Sequence, residues 1–451
     1  MPTSEKLIIQ GLAGAKTLKG SVKINGAKNA ALKAMAAAIL FDGPVLLENV
    51  PDTADVETML GIFKKLGATA AWKQEEGSRK KGELRTLMID STSITSTDID
   101  ATLACSMRSS VVLTGPMLGR YGKVSLPAPG GCVIGARPID RFIDGYAQMK
   151  AVTEIRNDIY HMASSAGLAG AEIEFKQISV GATETLMMAA VLAKGKTTLK
   201  NCAREPEIVN VAEWLNQCGA KITGAGTGTI EISGTDGKLL SSKKGPYIAI
   251  PDRIEAGSYL ILGALCAEDL LIKDCRSDHL TLLIDTLKKS GVQIETGMND
   301  AGEGSGWIRV TNSKDSATFK AFDVTTREYP GFATDLQSPI VTFLTQAEGK
   351  SSVVETIFEG RFKYTEDLKK MGANISQVNQ QEIVIQGPTE LKELPAGEEL
   401  KAHDIRAGFA IVLAALCGTG EFTVNNIHLI DRGYEKLEER LTALGANIQR
   451  I

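Results

Sequence analysis

The sequence predicts a mixed α/β protein of two domains, and three observations carry that reading. A helix–strand–helix pattern recurs six times along 451 residues. In each copy the first helix is apolar on nearly all sides, the mark of a buried helix. The second carries apolar residues at i, i+3, i+4 and i+7 with Lys and Glu opposite, the mark of a surface helix lying on a sheet.

The copies are taken in chain order. Residues 30–68 hold the first, in which Val56, Met59, Leu60 and Phe63 form one apolar stripe. The second, spread over 107–152, is degenerate and is recognised because the gap between the turn residues Gly43 and Gly195 is twice the others. The third runs to Ile222, the fourth covers 255–294, the fifth 335–375 and the sixth 404–448, a period of roughly seventy to eighty residues. The turn after each apolar helix is placed at Gly43, Gly195, Asp269, Gly349 and Gly418, and Leu66-Gly67 and Met371-Gly372 read as helix C-terminal signals. Strands alternating with helices make the class α/β. Six units most simply form two domains of three, 28–250 and 1–27 plus 251–451, with buried helices inside and sheets around them.

Composition narrows the function. Apolar residues make up 43% and charged residues 23%, as in ordinary globular proteins, and the net charge is −4 with basic residues dispersed. A general nucleic-acid surface is therefore not expected, and an anionic substrate must be held by local Lys and Arg. The opening residues lack a signal-peptide pattern and no apolar run reaches the ~20 residues of a membrane span, so a cytoplasmic protein is expected. Seven cysteines without CxxC spacing read as reduced thiols, and four separated histidines suggest no metal site. No Walker, dinucleotide or nucleophile-elbow motif is present.

Function is expected where the copies differ. The starts of the apolar helices carry Lys28 and Asn29, then Arg108, Ser179 and Thr183, Arg253 and Glu255, Asp335, and Asp404 and Arg406. Capping suits Ser179, Asp335 and Asp404. It does not suit Lys28, Arg108 or Arg406, because a cation there opposes the helix dipole unless it faces an anion. A second departure is KVSLPAPGGCVIGARPIDR, a Pro- and Gly-rich loop in which Cys132 lies near Arg120, Lys123 and Arg137. Cationic neighbours favour a reactive thiol, yet a free cysteine is also a common small buried hydrophobe, and the residues alone leave both readings open. For the other six cysteines the buried reading is expected. A third departure places Arg432 in a polar turn whose fifth-copy counterpart is Arg361.

Read together, GAKNAAL (26–32), GGCVIGARPID (130–140), SVGATET (179–185), REPEIV (204–209), PDRIEAG (251–257), ATDLQ (333–337), HDIRA (403–407) and IDRGYE (430–435) resemble the UDP-N-acetylglucosamine 1-carboxyvinyltransferase family over nearly the whole chain. The resemblance implies the two-domain inside-out α/β barrel of the enolpyruvyl transferase fold, shared with 5-enolpyruvylshikimate-3-phosphate synthase, with the site in the cleft between domains. It implies transfer of enolpyruvyl from phosphoenolpyruvate to the sugar 3-hydroxyl through a tetrahedral ketal, an early step of peptidoglycan and cell-wall synthesis, without metal or redox cofactor. Cys132 would protonate the methylene carbon and Asp335 would accept the hydroxyl proton. Lys28, Arg137 and Arg432 would hold the phosphate and carboxylate of phosphoenolpyruvate. Asn29, Arg108, Asp335, Ile357 and Arg361 would face the sugar nucleotide, Ser179, Val180 and Gly181 its diphosphate, and Asp404 and Arg406 would support the site. The chain departs from the family in reading SLPAPGGC, two residues longer than SLPGGC, in Gln177 where some members have Lys, and in Arg141-Phe142.

Three other readings compete. A shikimate-pathway activity on the same fold is disfavoured by Cys132, a silent sugar-nucleotide-binding paralogue by the joint presence of Lys28, Cys132, Asp335 and Arg432, and a structural repeat scaffold by the clustering of polar departures at helix starts rather than on one outer face. A low-pKa Cys132 leads to a prediction. The epoxide fosfomycin should alkylate Cys132 and block turnover, and Cys132→Asp should stay active and resist it. Mass spectrometry of the modified peptide checks this; inhibition that survives in Cys132→Asp would remove Cys132 as the target.

Overall fold

The computed structural model describes residues 5–73, 85–130, 138–299, 305–312, 318–395 and 397–451. Their contacts divide the chain into two units, one formed by 26–130 and 138–250, the other by 5–25 and 251–451.

Each unit contains three copies of one motif. A buried helix leads into a strand, an amphipathic helix follows, and an antiparallel strand pair closes the sheet. The buried helices of the first unit are Lys28–Ala37, Thr114–Tyr121 and Val180–Val191. Those of the second are Arg253–Cys266, Gln337–Thr345 and Ile405–Cys417. Every residue of the last two is buried, which explains why their sequences lack a polar face. The amphipathic helices bury one side only. In Ala54–Leu66 the buried residues are Asp55, Val56, Met59, Leu60, Ile62, Phe63 and Leu66.

The sheets show one topology. Val45–Glu48 pairs antiparallel with Thr86–Asp90, which pairs with Thr69–Trp72, while Tyr247–Ile248 adds a parallel strand. The same order recurs in four other sheets, and in the degenerate second copy the parallel strand shrinks to a bridge between Asp98 and Ser125. In the sixth copy the strand Leu7–Gln10 completes the sheet, sitting between Glu421–Asn425 and Ile448–Arg450 with Leu7 opposite Val424 and Arg450. The N-terminal residues thus belong to the same unit as the C-terminal ones.

Several expectations need correction. Asp269 is not a turn residue: the helix Arg253–Cys266 passes directly into the strand Ala267–Cys275, because its cap residue Ala267 is already extended. In the sixth copy the left-handed turn residue is Gly420 (φ 106°), not Gly418. Gly67 and Gly372 do take left-handed conformations at their helix ends, at φ 96° and 106°. Cys105 is exposed, on the short helix Ala101–Ser106, unlike the buried Cys202, Cys218, Cys266, Cys275 and Cys417. Burial pushes the Cys202 and Cys218 thiols up to about 11 and Cys275 to about 12, so these are inert packing residues. The strand Thr69–Trp72 pairs antiparallel with Thr86–Asp90, and Gln293–Met298 with Gly306–Thr311.

An ion pair between two buried helices interrupts the apolar interior of the first unit. Lys33 Nζ lies 3.3 Å from Glu184 Oε2, with the residues 8% and 1% exposed. Burial raises the Glu184 pKa to about 7; Lys33 opposes that rise, and Glu207 and Glu205 add to it. A buried pair contributes little net stability, but breaking it leaves a charge without compensation. Lys33→Met should therefore cost about 3–5 kcal/mol, and Lys33→Met/Glu184→Leu should recover most of it. The sign with pH is also fixed. Between about 4.5 and 7 the native state keeps a proton on Glu184 that the unfolded chain releases, so this group makes stability fall as pH rises through that window. Denaturant unfolding of wild type and Glu184→Gln at pH 5 and 7.5 checks it: the wild-type loss across the interval should be larger.

Candidate functional site

The expected site residues fall into two groups, one in each unit. In the second unit the group centres on Asp335, in the turn Thr334–Leu336 that leads into the buried helix Gln337–Thr345. Its carboxylate does not cap that helix, contrary to the capping reading. Oδ1 instead accepts from Arg361 Nη2 at 2.9 Å, and Oδ2 lies 3.4 Å from Arg406 Nη2. The two guanidinium side chains are 3% and 4% exposed, whereas the Asp335 side chain is 29% exposed. The arrangement buries the cations, while the carboxylate they share is partly exposed.

Each arginine is held by groups further in. Arg406 follows Asp404, whose side chain caps the helix Ile405–Cys417 by accepting from the N–H groups of Arg406 (2.7 Å) and Ala407 (2.9 Å). The Arg406 guanidinium lies 5.2 Å from the centre of the Tyr434 ring, which stacks on Phe409, and the Tyr434 hydroxyl meets Ser258 Oγ at 2.8 Å. Burial opposes the charge on Arg406, but Tyr434, Asp335 and Asp252 outweigh it and hold the pKa above the ordinary arginine value. Arg361 shows the same balance: burial acts against its charge, and Asp335, Asp404 and Glu355 more than restore it. Arg361 Nη1 also donates to Thr334 Oγ1 at 2.6 Å. Arg432 lies in the same unit, in the segment after Ile427–Leu429; a Cβ on its neighbour Gly433 would stand 3.6 Å from Arg406 Nη1. Ile357 is fixed through its backbone, its N–H donating to Glu355 Oε1 at 2.8 Å.

In the first unit Lys28 opens the helix Lys28–Ala37, and the anion it faces is Asp55, 2.9 Å away, with both side chains buried. This resolves the conflict between a cation and a helix N-terminus without calling on a ligand. The chain can place Lys28 there because Gly26 has no side chain: a Cβ would stand 1.7 Å from the Asn49 carbonyl oxygen. Asn29 is the partly buried residue of an otherwise buried helix. Arg108 Nη2 donates to the Pro138 carbonyl at 3.3 Å. Ser179 caps its helix, accepting from Ala182 N–H at 3.3 Å, and Val180 and Gly181 form the first turn. Gln177 accepts a hydrogen bond from Arg141, while Phe142 is buried in the core. Gly130 packs on the helix Ala101–Ser106, where a Cβ would meet the Cys105 carbonyl at 1.6 Å. Cys132 and Arg137 lie outside the described residues.

Sequence reasoning passed over four residues that this geometry makes important. Asp55 lies on the buried face of its helix, in phase with Met59 and Ile62, and that phase was a readable signal. Glu355 continues the buried alternation of Ser351 and Val353 along its strand, an equally readable one. Asp252 caps Arg253–Cys266 by accepting from Ile254 and Glu255 N–H groups, and sits in the usual cap position. Thr334 had no such signal. Among the described residues no group of three or more His, Cys, Asp or Glu is placed to hold a metal ion, and no helix is long and apolar enough to cross a membrane.

The chain was compared with known proteins. Residues 12–441 match the family described as EPSP synthase (3-phosphoshikimate 1-carboxyvinyltransferase). The chain is 40% identical over 443 residues to the UDP-N-acetylglucosamine 1-carboxyvinyltransferase of Chelativorans sp. (strain BNC1), covering 98% of each. It is 41% identical over 440 residues to the protein of the same name from Halothermothrix orenii, covering 98% of this chain and 99% of that one. Among solved structures, the enolpyruvyl transferase NikO from Streptomyces tendae superposes with a TM-score of 0.85 at 24% identity, over 100% of this chain and 99% of the other. EPSP synthase from Acinetobacter baumannii gives 0.71 at 17% identity, over 100% of both. These structures establish the fold. The full-length likeness at about 40% identity goes further, and the chain belongs to the enolpyruvyl transferases, among the UDP-N-acetylglucosamine 1-carboxyvinyltransferases.

Proposed function

We propose that this enzyme transfers the enolpyruvyl group of phosphoenolpyruvate to the 3-hydroxyl of UDP-N-acetylglucosamine and releases phosphate, in the cytoplasm, as a step of peptidoglycan precursor synthesis. The observation that carries the proposal is identity of about 40% along nearly the whole length of relatives bearing that name. The likeness to EPSP synthase, at 17% identity, supports only the shared fold.

The chemistry assigns roles to the residues. The 3-hydroxyl oxygen bonds to C2 of phosphoenolpyruvate while its proton leaves and C3 gains a proton, giving a tetrahedral ketal. Breaking the C2–O bond to phosphate and removing a proton from C3 then restores the vinyl ether. Each positioned proton transfer is worth about 10²–10⁴-fold in rate. Asp335 is the acceptor at the hydroxyl, a role supported by a partly exposed carboxylate held by two buried arginines. Cys132 is the donor at C3. Lys28, Arg137 and Arg432 bind the anionic groups of phosphoenolpyruvate, for which Arg offers paired hydrogen bonds. Asn29, Arg108, Ile357 and Arg361 bind the sugar nucleotide, with Ser179, Val180 and Gly181 at the diphosphate and the first turn of their helix supplying N–H groups.

Phosphate release from phosphoenolpyruvate, measured with UDP-N-acetylglucosamine or with shikimate 3-phosphate as acceptor, tests the proposal. Release with the sugar nucleotide alone is expected. Release with shikimate 3-phosphate alone would keep the fold and overturn the function. Release with neither, despite sugar-nucleotide binding, would leave a silent binding protein.

A further inference from the structure

Behind Asp335 lies a carboxylate to which the proposed chemistry assigns no role. Glu355 is fully buried at the end of the strand Gly349–Val354. Both of its oxygens are used. Oε2 accepts from Thr334 Oγ1 at 2.8 Å, and Oε1 accepts from the backbone N–H groups of Ile357 (2.8 Å) and Phe358 (3.1 Å). Thr334 Oγ1 accepts in turn from Arg361 Nη1 at 2.6 Å, and Arg361 Nη2 donates to Asp335 at 2.9 Å.

The direction of every bond in this series follows from its ends. A guanidinium can only donate, so Thr334 must accept from Arg361. Its one proton is then available to Glu355, whose carboxylate can only accept. The Thr334 hydroxyl therefore has a single orientation, and Arg361 is clamped between Thr334 and Asp335. The Arg361 guanidinium also lies 5.4 Å from the centre of the Phe358 ring, on the turn that Glu355 pins. One buried carboxylate thus fixes both the arginine that orients Asp335 and the backbone of Ile357.

We propose that Glu355 is a positioning residue, acting through Thr334 and Arg361 on the Asp335 carboxylate and through the backbone on the Ile357–Phe358 turn. The inference rests on the reading of Asp335 as proton acceptor. A reacting group displaced by about 1 Å can cost on the order of 10²-fold in rate, so loss of the relay should appear in kcat.

Three variants test this: Thr334→Val, which keeps the shape and removes the hydroxyl; Thr334→Ser, which keeps the hydroxyl; and Glu355→Gln, which puts a donor where the relay needs an acceptor. Turnover is counted per site that binds UDP-N-acetylglucosamine, so misfolded protein does not enter kcat. Thr334→Val should lower kcat about 10- to 100-fold, a larger change than any rise in the sugar-nucleotide Kd that follows from releasing Arg361. Thr334→Ser should recover most of that loss. Glu355→Gln should lower kcat similarly and also raise Kd, because the Ile357 turn loosens. A wild-type kcat per binding site in Thr334→Val would overturn the proposal, even if Glu355→Gln does not fold, and so would equal losses in Thr334→Val and Thr334→Ser. Asp335→Asn is measured beside them. If it turns over normally, the reading of Asp335 has failed and the positioning role with it. If it is inactive while Thr334→Val and Glu355→Gln are normal, only the positioning role is lost.

Discussion

The second unit is organised around burying two guanidinium groups beside one carboxylate. An arginine can leave water only if it is paired and its hydrogen bonds are largely satisfied. Arg361 and Arg406 meet the pairing condition by sharing Asp335, and Arg361 Nε and Arg406 Nη1 are left buried without a hydrogen-bond partner among the described residues. Their further partners are drawn from separate elements of the unit: Thr334 and Glu355 for Arg361, and the ring of Tyr434 for Arg406. Asp404 caps the helix on which Arg406 rides. The carboxylate is consequently held between the helix Ile405–Cys417, which carries Arg406, and the turn segment after the strand Gly349–Val354, which carries Arg361.

The same physical problem is solved differently in the first unit. Lys28 stands at a helix start, where the dipole opposes it, and Asp55 from the next helix neutralises it. Lys33, further along the same helix, is neutralised by Glu184 from another copy of the repeat. The repeat supplies the frame for both. Its first helices are apolar so that three can pack together, and a charged residue on such a helix requires an anion from a neighbour. Departures from the repeat therefore come in pairs, some within one copy, as Lys28–Asp55, and some between copies, as Lys33–Glu184 and Arg406–Asp335.

Much of this was legible in the sequence. Five copies were visible because the two helices of each have different periodicities, the degenerate second from the doubled gap between Gly43 and Gly195, and the apolar helices were placed where they occur. Ser179 and Asp404 read as caps and are caps. Asp335 read the same way and is not one, because a short polar residue before a helix carries one signal for two uses, and only the positions of Arg361 and Arg406 separate them. Asp269 misled for a related reason: a polar residue following an apolar helix resembles a turn, yet here it faces outward on a strand and pairs with Arg309 at 2.6 Å. Lys28 was read as facing an anion, and the sequence could not say whether that anion was a ligand or Asp55. Thr334 was invisible, since a hydroxyl that relays between two charges looks like any other threonine until its partners are placed.

Chemical rescue of Asp335→Ala tests the central claim most directly. Removing the carboxylate should leave UDP-N-acetylglucosamine binding and lower phosphate release by about 10²–10⁴-fold. Added formate, small enough to enter the space beside Arg361 and Arg406, should restore part of the rate in proportion to its concentration. Near-normal turnover of Asp335→Ala without any added carboxylate would contradict the account.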